Sequence, residues 1–436
     1  MQKIAQYLTQ IVQNLTNKIF SADFLVQHRK SEKDFTRNRS LTFPRLISFM
    51  LNMVNGSIQS ELSRFFQVVY DHPISINSVS TAAFCKARKK ISHTAFKELN
   101  TCLIDTFYDS YQAKKWNGFR LLAVDGSVTN IPNTPELLEH FGKARSHAAK
   151  PAVRISQLYD VQNKLSIDLQ IDSHATGERD QAVKHLDCAR KDDLILYDRG
   201  YPAIWFFILH QIKNVNFCAR VTIDSSNILK NFIRSGKNED TVYFPCVEKS
   251  LRHCRKEGLP TSPIKVRLIR IDLPSGQTEI LMTSLLDKDS HPYKIFKDLY
   301  HQRWGIEEDY KLMKSRLVIE NFSGVSVEAV LQDIHAKVLT KNLAAIAIFE
   351  ADSIRNEKYK HRKHPYKINV TYTLSQLKDN IVRFLLGSAP PSLYKLLISK
   401  ILNVVDAYRQ DRSFSREQKR AHWNKLKYSM AYKRVG

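Results

Sequence analysis

The stretch Leu194-Ile195-Leu196-Tyr197-Asp198-Arg199-Gly200-Tyr201 sets the reading of this chain: four apolar residues run straight into an acid, a base and a glycine. A short apolar run bounded by turn residues is the pattern of a strand buried on both faces. The same pattern stands upstream, where Leu121-Leu122-Ala123-Val124 meets Asp125-Gly126-Ser127. Two further runs, Val153 to Leu158 and Leu165 to Ile171, supply more strands for one mixed sheet. Between them Arg179 to Leu186 has helical spacing, and Pro202 to Ile212 reads as an apolar helix entered through proline. The sum is an α/β domain with an aspartate at the end of two strands, and strand ends along one edge of an open sheet are where ligands gather.

Outward from this core the patterns change. Before Asn117 the apolar residues recur every three or four positions, as in Leu46, Phe49, Met50, Met53 and Val54, and again in Phe84, Ala87, Ile91, Ala95, Phe96 and Leu99. This region is expected to be all-α. Its basic run Lys86, Arg88, Lys89 and Lys90 precedes Ser92, a candidate cap for the helix that Phe96 and Leu99 anchor. A basic helix face suits a DNA groove and a solvated surface about equally. From Val215 to about Asp289 the chain turns strand-rich, with Val266, Leu268 and Ile269 to Leu273, a Pro274-Ser275-Gly276 turn, and Ile280 to Leu285. This is read as a β-rich insertion. One long helix from Tyr293 to about Arg316 and another from about Val327 to Glu350 then resume the domain. The tail from Asp411 carries eight Lys or Arg against two acids, with Trp423, Tyr428 and Tyr432 interleaved. Such a mixture suits phosphate contact and base stacking as well as a solvated terminal helix. The expected segments are 1–117, 118–213, 214–290, 291–355 and a basic helical region, 356–436.

Across the 436 residues, 67 Lys and Arg stand against 43 Asp and Glu, a net charge of +24 and a pI near 9.7. A folded chain with that balance is expected to face a polyanion, nucleic acid first among them. The six cysteines show no paired short spacing, which argues against a disulfide framework and points to a reducing compartment. Cys246, His253 and Cys254 invite a zinc reading, but their spacing fits no common finger, and they are taken as small buried side chains. No export signal is read at the N-terminus. The apolar runs Leu46 to Val54 and Leu343 to Phe349 fall short of the ~20 residues that span a bilayer, so no membrane role is expected.

Metal-assisted phosphodiester cleavage needs clustered carboxylates. Taken singly, an aspartate after a strand is more often a turn or cap residue, and Asp160, Asp192, Asp193 and Asp309 show how common such acids are here. The third element is more specific. In Tyr300-His301-Gln302-Arg303-Trp304-Gly305-Ile306-Glu307, followed six residues on by Lys314, four functional groups recur on one helical face. At ~100° per residue Tyr300, Arg303, Glu307 and Lys314 fall inside an arc of roughly 60°. A surface Arg–Glu pair at i,i+4 accounts for any two of these residues, not for all four.

That spacing is the YREK signature, and the chain resembles the DDE transposases of bacterial insertion sequences, specifically the family conventionally numbered four. Val124-Asp125-Gly126-Ser127 and Tyr197-Asp198-Arg199-Gly200-Tyr201 are similar to its two aspartate motifs, Phe84 to Phe96 resembles its N-terminal region, and the likeness covers about residues 40 to 350. The resemblance implies an RNase H-like catalytic core interrupted by the β-rich insertion. It implies that Asp125, Asp198 and Glu307 are catalytic and bind two Mg²⁺ or Mn²⁺ ions, that Arg303 and Lys314 grip phosphates, and that Tyr300 positions the element's end. Expected partners are transposon-end and target DNA and a second copy of the chain, in a bacterial cytoplasm near the nucleoid. Family members often cut and paste through a hairpin held by an insertion-domain aromatic. No Trp lies between Trp205 and Trp304, which leaves Phe217, Tyr243 or Phe244 for that task. The rival readings are a DNA-binding relic without catalysis and a hydrolytic nuclease of the same fold.

Overall fold

The computed structural model describes residues 5–407 except 38, 53–54, 75, 144–149 and 363. The basic tail from Asp411, and Met53 and Val54 of the first helical pattern, lie outside the described residues. The chain divides into two compact units, Ala113–Met313 and Met1–Gln112 with Lys314–Gly436.

The first unit is built on an eight-stranded mixed sheet. Its strands are β1 (Arg120–Asn130), β2 (Ala152–Asp160), β3 (Leu165–Ser173), β4 (Asp193–Tyr197), β5 (Asn216–Val221), β6 (Glu239–Phe244), β7 (Ile264–Asp272) and β8 (Thr278–Thr283), in the order β3-β2-β1-β4-β5-β8-β7-β6. β4 runs parallel to both β1 and β5, and all other pairings are antiparallel. Every residue of β4 is buried, as its unbroken apolar run requires of a strand covered on both faces.

Three sequence expectations are corrected here. β1 does not stop at Asp125. It continues through Gly126 to Asn130, because β2 pairs along it as far as Asn130↔Ala152 after β4 has ended. The region expected to be a separate β-rich piece opens with β5, which is the parallel neighbour of β4, and β8 extends the same sheet by pairing with β5. It also contains two helices, Asn227–Arg234 and Glu248–Lys256. Leu229 and Phe232 bury one face of the first, and Ser226 caps it by accepting from the Leu229 N–H. The β7–β8 turn follows the expected Pro-Ser-Gly chemistry, with Gly276 at φ +80°. Cys246 and Cys254 are buried with sulfurs 3.8 Å apart, whereas His253 packs on Trp205 with ring centroids 3.8 Å apart.

The second unit is mainly helical, but the region after 356, expected to be helical throughout, also holds a two-stranded antiparallel sheet of Tyr366–Ile368 and Val405–Ala407. Its first part holds the helices Gln6–Phe20, Ala22–His28, Phe43–Leu51, Ile58–Val69, Thr81–Arg88 and Thr94–Ser110. The 33-residue helix Val327–Tyr359 follows, buried over most of its circumference from Ala329 to Ala351, with polar groups such as Gln332, Asp333 and Lys337 bonded among its apolar residues. The basic run is not one solvated or DNA-facing stripe. Arg88 is buried, donating to Asp333 Oδ1 (2.9 Å), Gln332 Oε1 (3.0 Å) and Ser323 Oγ (2.6 Å), and Lys90 pairs with Asp34. Ser92 takes the capping role expected of it: its Oγ accepts from the Thr94 N–H (3.3 Å), His93 already has helical backbone angles, and the His93 N–H is taken by Glu328. Among the described residues no helix is long and apolar enough to cross a membrane.

Candidate active site

β1 and β4 pair in parallel with Ala123 opposite Leu196, so two residues further on Asp125 and Asp198 stand level on neighbouring strands. β4 ends at Tyr197, and Asp198 opens a turn closed by the Tyr201 N–H on its carbonyl (3.1 Å). β5 continues the same line: Tyr197 is opposite Ala219, which places Arg220 level with Asp198. Arg220 donates from Nη2 (2.6 Å) and Nε (3.0 Å) to Asp198 Oδ1, and also pairs with Glu279.

The segment carrying Glu307 departs from the single long helix expected from its spacing. Helix Phe296–His301 ends before Gln302, and a second helix runs from Trp304 to Ser315. Between them the backbone bonds are of i+3 type, Gln302 N–H to Leu299 (3.1 Å), Arg303 N–H to Tyr300 (3.1 Å), Gly305 N–H to Gln302 (2.9 Å) and Ile306 N–H to Arg303 (3.1 Å). A turn of about three residues eclipses side chains at i and i+3. Accordingly, the Arg303 guanidinium lies over the Tyr300 ring, 5.9 Å from its centroid. One α-turn later Arg303 Nη2 donates to Glu307 Oε1 (2.7 Å). Arg303 is buried, and among the described residues its Nε has no hydrogen-bond partner. Lys314 is exposed in the last turn of the same helix, two turns past Glu307.

Two tyrosines lock this segment to the aspartate strands. Tyr300 Oη donates to the Tyr197 carbonyl (3.2 Å) and stands 3.4 Å from Asp198 Oδ1. Tyr310 Oη donates to the Asp125 carbonyl (2.9 Å), with the Ile155 carbonyl at 3.3 Å. Asp125, Asp198, Glu307, Tyr300 and Arg303 are thereby drawn into one neighbourhood of the sheet unit.

The electrostatics agree with that proximity. Burial pushes the Asp125 carboxyl up to about 6, and the charges of Glu307 and Asp198 push the same way against the Gly126 N–H and Arg303. Asp198 goes the other way: despite burial, the Arg199 N–H, Arg220 and Arg303 hold it below the ordinary carboxylate range. Carboxylate oxygens are the donors that hard divalent cations take, and the mutual repulsion at Asp125 is what a cation relieves. Yet among the described residues no group of three or more His, Cys, Asp or Glu side chains is gathered tightly enough to hold one metal ion. Two of the three candidate carboxylates are instead turned onto guanidinium groups, Asp198 onto Arg220 and Glu307 onto Arg303.

The other acids have structural occupations. Asp193 forms a two-bond pair with buried Arg120, Asp160 accepts from the Gln162 and Asn163 N–H groups, Asp309 accepts from Gln157 (3.0 Å), and Asp192 pairs with Lys115. Sequence reasoning missed three residues at the site. Arg220 and Tyr310 are two of them, and Glu178, the first residue of helix Glu178–His185, is the third. Paired with Arg154, its carboxylate flanks both aspartate motifs: a methyl group added to Gly126 or to Gly200 would stand 3.6 Å from one of its oxygens. The signal for Tyr310 was present, three residues after Glu307 on the same helix; Arg220 and Glu178 become visible only through register and packing.

Residues 116–343 match the family described as "Transposase DDE domain", a span that contains all six residues singled out above. The "Transposase InsG for insertion sequence element IS4" of Escherichia coli (strain K12) is 24% identical over 379 residues, covering 82% of this chain and 79% of that one. Among solved structures, the cryo-EM structure of a piggyBac transposase synaptic complex with hairpin DNA aligns over 94% of this chain and 86% of that chain, with 11% identity and a TM-score of 0.45. With a family match spanning more than half its length, around a site of level aspartates and a tyrosine-anchored glutamate, the chain belongs to the DDE transposase family.

Proposed function

We propose that this transposase cleaves DNA at the ends of an insertion element and joins the freed ends to target DNA by cut and paste, using Asp125, Asp198 and Glu307 as its catalytic carboxylates. The observation that supports this most is the level placement of Asp125 and Asp198, with Glu307 on a helix tied to both strands through Tyr300 and Tyr310. We read β1 to β5 as an RNase H-like core, 222–290 as its insertion, and the helical unit as a DNA-binding part.

The three carboxylates would hold two Mg²⁺ or Mn²⁺ ions, which supply activation of the attacking oxygen and charge stabilisation at the leaving one. The rest falls to the chain itself. Arg220 and Arg303 neutralise Asp198 and Glu307 and fix their orientation. Arg303 and Lys314 are the phosphate contacts, Arg303 through a planar fork suited to a phosphodiester. Tyr300 keeps the Arg303 turn against the end of β4 and positions the element's end. Of the three candidate aromatics, Phe217, on β5 of the core, and Phe244 are buried and Tyr243 is 63% exposed, so Tyr243 is the one open to a DNA base. Joining two ends in one event calls for two copies of the chain on DNA, in the bacterial cytoplasm.

The test is to incubate the protein with Mg²⁺ and labelled DNA carrying the ends that flank its gene, beside Glu307→Gln. Cleavage and joining that vanish in the variant while DNA binding survives are the expected outcome. The engagement of Asp198 and Glu307 by arginines favours one second reading, a DNA-binding descendant that no longer cleaves. Binding without cleavage by either protein would establish it.

A further inference from the structure

A cavity of about 420 Å³ lies within the helical unit and shares no residue with the candidate active site. Its volume falls in the ~300–1,000 Å³ range of small-molecule sites. Four cations from four segments line it: Arg64 of helix Ile58–Val69, Arg316 just past helix Trp304–Ser315, Lys337 of helix Val327–Tyr359, and Lys378 just past helix Val370–Leu377. One carboxylate, Glu61, faces them and is already occupied. Its Oε1 accepts from the Gly56 N–H (2.8 Å), the Asn55 N–H (3.2 Å) and Lys378 Nζ (2.9 Å). Burial pushes the Glu61 carboxyl up, and these bonds outweigh it, so the group is held below its ordinary range. Lys337 is fixed by the carbonyls of Val318 (2.9 Å) and Asn321 (2.5 Å). Arg64 and Arg316 are exposed, and neither pairs with an acid among the described residues.

The walls are not uniformly polar. Buried Leu317 and Leu374 supply an apolar floor, and Ser57, Ser60 and Ser375 add hydroxyls at the rim. Surplus cations repel one another and are retained at a concave surface when an anion neutralises them. An apolar floor beside them asks for a ligand with a flat, weakly polar body.

The geometry points to a pocket for a single nucleotide, with its phosphate on Arg64, Arg316 and Lys378 and its base against Leu317 and Leu374. Arginine forks match phosphate oxygens two at a time, which fixes orientation as well as charge. The nucleotide has two sources, an unpaired position in a DNA strand or a free nucleoside monophosphate. The first rests on the transposase reading proposed above, and the second does not.

The full chain carrying Glu307→Gln, which leaves DNA uncut, is titrated with thymidine 5′-monophosphate by calorimetry and with a short labelled single strand by anisotropy. The comparison is the same chain with Arg64→Gln and Arg316→Gln added. A control carries Lys115→Gln and Lys191→Gln, two exposed lysines of the sheet unit outside the pocket. An unchanged thermal midpoint shows that the pocket variant is folded, as expected for exposed arginines without acidic partners. The expected result is a loss of about tenfold in affinity for the monophosphate, the strand or both, with affinity intact in the control. For the strand, losing two phosphate contacts also flattens the salt dependence by about 1.4 in log–log slope. Loss on the strand alone assigns the pocket to DNA, and loss on the monophosphate alone assigns it to free nucleotide. If the folded pocket variant keeps both affinities, the pocket is overturned whatever the cleavage assay returns. If cleavage fails and the titration succeeds, the pocket stands and the transposase mechanism does not.

Discussion

The two ends of the β1–β4 pair carry the same kind of residue to opposite effect. At the entry end Arg120 and Asp193 are register partners, bonded at 2.6 and 2.7 Å, with 3% and 0% of their side chains exposed. Five residues along each strand, Asp125 and Asp198 are level again, and both are acids. At one end opposite charges cancel in the interior; at the other, burial first and the charges of Glu307 and Asp198 after it push Asp125 up to about 6, while Arg220 neutralises Asp198. A matched buried pair fixes register, whereas an unmatched one is a load that folding alone would remove. The difference supports the proposal that the chemistry sits at the Asp125 and Asp198 end of the strands.

The largest expected effect is on that end. Asp125→Asn should lower end joining on the order of 10³-fold or more while the protein stays folded. Near-native joining by this variant would break the comparison, because the like-charged end would then be idle. Next comes the matched end. Asp193→Ala leaves the Arg120 guanidinium buried without its partner and should cost about 3–5 kcal/mol in urea unfolding; a loss below about 1 kcal/mol would mean that the pair is not holding the register.

A third measurement sets the two ends against each other. Because the folded-state pKa of Asp125 is raised, the stability tied to its proton is fully present below the ordinary carboxylate pKa and is lost as pH rises through about 6. In chelator-treated protein, Asp125→Asn should therefore stabilise by about 1–3 kcal/mol at pH 8 and by nothing near pH 4. A gain that does not change with pH would point to packing instead of charge. The smallest effect is expected from Tyr310→Phe, which removes the donor to the Asp125 carbonyl at a cost of about 1 kcal/mol. Its joining rate should fall although no carboxylate has changed.

Much of the sheet was legible in advance because a strand covered on both faces has to be apolar without interruption, as Leu194 to Tyr197 is. The YREK spacing likewise marked Glu307 before any geometry was known. What the sequence hid has physical reasons. The break at Gln302 and Arg303 carries no proline, and a 3₁₀ turn satisfies the backbone there without any special residue, so the pattern looks like one helix. The continuation of β1 beyond Asp125 depends on pairing with β2, which is a long-range matter. Arg220 looks like an ordinary charged strand residue until register sets it beside Asp198. Arg88 looks like part of a basic face, and only the acid and amide on helix Val327–Tyr359 reveal that it is internal.

The division of the chain also orders its birth on the ribosome. The sheet unit, Ala113–Met313, is contiguous and can collapse as soon as it has emerged, but the helical unit is completed by residues beyond Lys314. The backbone N–H of Leu8, near the start of the first helix, bonds to Glu350 on the long central one. At ~5–20 residues per second, the first helix therefore waits on the order of 20–70 s for its partner on the central helix. During that interval Leu8, Ile11, Leu15 and Ile19, the buried face of the first helix, have only the helices before Gln112 to cover them. The sheet unit is thus in a position to mature first, while the unit with the longest-range contacts is the one that depends most on chaperones.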